Sequence, residues 1–196
     1  MNTDIKETLI SAIQRDRIPE LLKKSDESHR GACFYFSLIE AFNFLYPSII
    51  IPKELESFIL KGVNNNKDFG VFPDEFIPEV KRLQRFLKMK VSKVDVIAGQ
   101  SSVDDVRKVC NIPDYIPVVK ISNPQGVNAI DEKSTAVIFM QNNDDRAHYL
   151  HTAISNRFQG LEKPHGAQHK GGQSEYNVYE SNGYTPTVVF HLTRTE

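Results

Sequence analysis

Apolar residues fall at two different periods along this chain, and the period changes near its middle. In the first half they recur every three or four positions. Ile5, Leu9, Ile10 and Ile13 share one helical stripe, which Ile18 to Leu22 continues after Pro19. Leu38-Ile39-Glu40-Ala41-Phe42-Asn43-Phe44-Leu45 reads as a buried helix ending near Tyr46-Pro47. The stretch Pro52 to Leu60 opens on proline with carboxylates in its first turn, which suits a helix start. Asn64 to Asp68 is a polar loop. From Pro73 to Lys90 the stripe is Phe76, Val80, Leu83, Phe86 and Leu87, with Pro78 tolerated in the first turns.

The second half is built of short runs rich in β-branched and aromatic residues, separated by turn formers. Val91 to Ile97 and Ile116 to Ile121 read as strands, with a short helix between them from Val103 to Val109. Thr135 to Met140, Ala147 to Ser155, Glu175 to Glu180 and Thr187 to Leu192 follow as further strands. Asn142 to Asp145 suits a hairpin connection, and the glycine-rich stretch Gly160 to Ser174 a surface loop. Helices first and antiparallel strands later predict an α+β fold, a helical half packed on an antiparallel sheet. Residues 1–196 read as one domain, with 1–24 as an N-terminal helical extension.

Composition narrows the function classes. A chain of 196 residues with 40% apolar content can bury one good core. The net charge of −1, with both signs interspersed, gives no polybasic face for nucleic acid or an anionic membrane. The basic cluster Lys81, Arg82, Arg85, Lys88 and Lys90 falls mainly on the polar side of its helix and reads as a solvated face. The longest apolar run is broken by Ser37, Glu40 and Asn43, too short and too polar for a membrane span. Met1 to Glu7 lacks the charged-then-apolar order of a signal peptide. The expected location is therefore the cytoplasm, or a host cell reached without a cleavable signal. Two cysteines, Cys33 and Cys110, stand far apart with no CxxC neighbour, and free thiols are expected.

The candidate chemistry starts at Gly31-Ala32-Cys33-Phe34-Tyr35-Phe36-Ser37. Cys33 stands where the polar run Ser25 to Arg30 gives way to the apolar helix. A thiol there feels the positive end of the helix dipole and lies near unpaired N–H groups, and both favour the nucleophilic thiolate. A cysteine nucleophile needs a base, and the base an orienting acceptor. Six histidines are available. His29, His165, His169 and His191 lie in loops or in the last strand. His165 and His169 have a metal-like spacing, but their glycine-rich setting predicts solvated loop residues. His148 and His151 share one strand and fall on opposite faces of it. His148 is preferred because it lies near the strand start and shares its face with Leu150, Thr152 and Ile154. For the orienter, Glu180 emerges at the end of its strand and comes first, with Asn182 just beyond it second. Cys110, near a short helix end, reads as packing.

The order cysteine, histidine, acid or amide, with the cysteine opening a helix and the others on later strands, resembles the papain-like cysteine hydrolases. The local likeness is to bacterial virulence proteases and deamidases of that clan, the YopT-like group. Gly31, Cys33, Phe36 and Ser37 match that group's helix start, and Glu180-Ser181-Asn182-Gly183 approximates its strand end, with glutamate for aspartate and the glycine one position early. The resemblance implies a papain-like fold and a Cys33–His148 (or His151)–Glu180 triad. It also implies a protein substrate, a host protein if the chain is an effector, and no metal or organic cofactor. That group's side-chain oxyanion donor before the cysteine has no glutamine counterpart here, which leaves the backbone N–H of Cys33. Gly31 to Tyr35 and Ala147-His148-Tyr149 also resemble ovarian-tumour-type deubiquitinases, although Arg30 stands where that pattern has aspartate. A non-catalytic adaptor that keeps the scaffold is the third reading.

Overall fold

The helix predicted after the polar run forms as α1 (Cys33–Leu45), and the amphipathic stripe forms α2 (Pro73–Leu87). The structure is a computed structural model that describes residues 33–46, 48–49, 54, 55, 58, 61, 71–97, 102–121, 134–142, 147–152 and 183–195. The expected helix over Ile5 to Leu22, the loops 64–68 and 160–174 and the strand 175–180 lie outside these residues. Glu54, Leu55, Phe58 and Lys61 are helical, as the proline-led stretch predicts.

Local chemistry sets the ends of α2. Proline opens the helix, where its missing N–H costs nothing, and the Glu75 carboxylate accepts from the Phe72 backbone N–H at 3.2 Å. It stops at Lys88, whose φ of 48° is left-handed and whose N–H donates to the Gln84 carbonyl. Phe76, Val80, Leu83 and Leu87 are all buried. A short helix, α3 (Val103–Val109), is capped by the Ser102 hydroxyl, which accepts from the Asp105 N–H at 3.1 Å.

The strands are β1 (Met89–Ile97), β2 (Val118–Ile121), β3 (Ser134–Gln141), β4 (Ala147–Thr152) and β5 (Thr185–Arg194). They form one sheet in the order β2-β1-β5-β3-β4. The α+β class therefore holds, but the expectation of a purely antiparallel sheet does not. β1 and β2 pair in parallel, Val94 opposite Val118, while the other pairs are antiparallel. The reason is the helix between them. A parallel pair needs a long crossover, and α3 with its flanking loops supplies it.

Both faces of the sheet are buried, with different contents. One packs on α1 and α2. Phe76 stacks on Phe190 with centroids 3.8 Å apart, and Phe34 meets Phe76 and Tyr149 edge-on at 5.1 and 5.4 Å. Val94, Val96, Val137, Phe139, Val188 and Leu192 belong to the same cluster. The other face carries Ala136, Ile138, Met140 and Val189, together with Asp95 and His191. A register shift between Val91 and Lys93 in β1 lets Val91 join Val94 and Val96 on the helical side and sends Lys93 and Asp95 to the other.

Candidate functional site

Cys33 is the first residue of α1, so the fold gives it the helix-start position that its neighbours in sequence predict. The first turn of a helix leaves N–H groups without intrahelical partners and concentrates the positive end of the dipole.

Two contacts dock the start of α1 on β4. The Phe34 ring packs edge-on against Tyr149, and the buried Ser37 hydroxyl donates to the Tyr149 carbonyl at 3.2 Å. Tyr149 directly follows His148 and precedes His151 by two residues. The strand named by sequence as the source of the base is thus the strand against which the cysteine helix lies. β4 pairs only with β3 among the described strands, with His148 opposite Met140 and His151 opposite Val137.

Face and level along β4 separate the two histidines. The Tyr149 ring lies on the helical face, so strict alternation gives position 151 the parity of that face and position 148 the opposite one. Level gives the reverse order. At its far end α1 receives Arg194 on the Leu45 carbonyl, and Tyr46 donates to the Lys88 carbonyl at 2.8 Å, where β5 finishes and β1 begins. The Cys33 end of α1 therefore lies toward the other end of the sheet, where β4 starts and His148 is its second residue. Glu180 and Asn182, along with Glu27, Ser28, His29, Gly31, His165 and His169, lie outside the described residues.

Cys110 behaves as its sequence setting suggests. It is free and buried at the end of α3. Burial first, and the negative charge of Asp74 second, push its thiol up to about 11. It is a core residue with almost no thiolate at neutral pH.

One polar cluster escaped the sequence reading. His191 Nε2 lies 2.6 Å from Asp95 Oδ2, with Asp95 fully buried, and the Lys93 ammonium stands 3.3 Å from Oδ1. The lysine contact is close enough for charge pairing but off the line of a hydrogen bond. Ser92, at the register shift, donates to the His191 carbonyl. A signal for the cluster was present. A carboxylate inside Val94-Asp95-Val96 must find a partner, and the spacing Val91, Val94, Val96 already breaks strict alternation. The pair faces away from α1, so it does not complete a site with Cys33.

No family model, no curated protein and no solved structure matches this chain. Among the described residues, no helix is long and apolar enough to cross a membrane.

Proposed function

We propose that the chain is a papain-like cysteine hydrolase that performs acyl transfer to water on a protein substrate. The observation that carries this reading is the docking of the Cys33 helix on Tyr149, which lies in the short segment between the two candidate bases. Cys33 thiolate attacks a carboxamide carbon, and the β4 imidazole delivers the proton to the leaving amine. Water then hydrolyses the acyl-enzyme, with the same imidazole as base. Glu180 orients that imidazole, or Asn182 in its place. The backbone N–H of Cys33 stabilises the oxyanion, a role worth about 3 kcal/mol for one donor. Level along the strand supports His148 as the base, and parity supports His151. Peptide cleavage and glutamine deamidation share this chemistry. A reduced compartment suits it, whether the cytoplasm or the interior of a host cell.

Iodoacetamide labelling across pH tests the reading, comparing the native protein with Cys33→Ala and Cys110→Ala. A catalytic Cys33 labels selectively and well below pH 8, the ordinary range of a free thiol being about 8.5. Labelling only at alkaline pH, or only at Cys110, removes the enzyme reading and leaves the adaptor. His148→Ala and His151→Ala, made separately, identify the base: the true one lowers Cys33 reactivity near neutrality and the other leaves it unchanged.

A further inference from the structure

We infer that Ser37 is a positioning residue for the Cys33 nucleophile, acting through the hydrogen bond its hydroxyl donates to the Tyr149 carbonyl. The inference rests on the acyl-transfer reading and adds the device that holds its two halves in register. Ser37 is 1% exposed, and its bond spans 112 residues of chain at 3.2 Å. A serine inside a helix ordinarily returns its hydroxyl to the carbonyl one turn earlier, here at position 33. Ser37 instead reaches out of the helix to a strand.

The geometry gives that choice a consequence. Residues 33 and 37 lie one turn apart on the same stripe of α1, so whatever fixes the rotation and height of Ser37 also fixes those of Cys33. The acceptor is main chain of β4, within the segment from His148 to His151. The link therefore reaches the nucleophile helix and the base strand together, whichever histidine serves. The surrounding contacts of Phe34 with Tyr149 and Phe76 are edge-on ring pairs, whose geometry is favoured over a broad range of centroid distances. A hydrogen bond falls off more steeply with distance and angle, so it resists the small slide that ring packing tolerates. A displacement of about 1 Å between reacting groups is enough to lower a rate by about 100-fold.

The test uses the full chain and three substitutions, Ser37→Ala, Ser37→Thr and Ser37→Val. Threonine and valine have the same shape and differ only in the hydroxyl, so their comparison holds even where the alanine variant folds poorly. The readout is the pH profile of iodoacetamide labelling at Cys33, with circular dichroism melts to follow folding. The expected result is a midpoint raised by about one unit in the alanine and valine variants, about tenfold slower labelling below the midpoint. Threonine keeps the native profile. Unchanged midpoints for alanine and valine overturn the role, as does a threonine variant that fails as badly as valine. Loss of folding in all three assigns Ser37 to core packing alone and also overturns it. Native Cys33 that labels only at alkaline pH removes the acyl-transfer reading itself. Native labelling near neutrality with unshifted variants removes only the Ser37 role.

Discussion

Ionisable side chains in the core answer to pH, at Cys110, or to mutation, at Asp95 and His191, in ways that follow from burial. Cys110, raised from 9.0 to about 11, ionises in the unfolded chain before it ionises in the folded one. Its contribution to stability is whole below pH 9 and is lost as pH rises through about 11. Urea melts of the native chain and of Cys110→Ala, taken from pH 8 upward, should therefore converge toward the alkaline end. The buried pair on the other face makes a sharper claim. Removing His191 strands a fully buried carboxylate with Lys93 as its remaining described partner. His191→Leu should cost about 3–5 kcal/mol. Asp95→Asn leaves no buried carboxylate behind, and the Lys93 ammonium it releases is partly exposed to water, so it should cost about 1–3 kcal/mol, the range of a hydrogen bond to a charged group and its penalty. In a double-mutant cycle read by urea denaturation the two costs should fall short of adding; strict additivity would show that the pair is not coupled.

At the scale of elements, α2 shows what is legible in a sequence. Its apolar stripe and its proline start follow from local spacing, and Phe76, Val80, Leu83 and Leu87 are buried as that spacing requires. The stretch read as running to Lys90 stops instead at Leu87, and Met89 and Lys90 already belong to β1. Its stop carries a cost that spacing does not reveal, because Lys88 holds a left-handed φ of 48° that a side chain resists. Lys88→Gly should stabilise the fold by about 0.5–1 kcal/mol, since the carbonyl that receives Tyr46 Oη and the Thr195 N–H is main chain and survives the change. A lower urea midpoint in that variant would refute this assignment of strain. Strand pairing was less legible. The sequence holds both strands of the β1–α3–β2 unit and the helix between them, but direction of pairing depends on partners far along the chain. Met89 to Ile97 takes β5 on one edge and β2 on the other. The site divides the same way. A cysteine opening a helix and two histidines on one strand could be read locally. Which face of β4 meets that helix is decided by Tyr149 against Phe34, a contact no spacing rule contains.

Across the whole molecule, α1 is fastened at two ends by unlike means, and the two fastenings should separate in experiment. Near Cys33 the link is Ser37 on Tyr149. At the opposite end Arg194 donates to the Leu45 carbonyl, caps the helix dipole and lies 4.6 Å above the Tyr46 ring. Tyr46 and Thr195 both donate to the Lys88 carbonyl, so α1, the end of α2, the start of β1 and the end of β5 meet there. Arg194→Ala removes a helix-end hydrogen bond and a cation–π contact and should cost about 1–2 kcal/mol. The loss falls some three turns of helix from Cys33, so the labelling midpoint of that thiol should stay where it is in the native protein. Ser37→Ala should do the reverse in kind, moving the midpoint by more than its cost in stability explains. Measuring melt and labelling profile on both variants sets the two ends against each other. If Arg194→Ala shifts the midpoint as far as Ser37→Ala does, the thiol responds to loosening of the helix anywhere along its length, and its reactivity is a property of the fold rather than of the contact with β4.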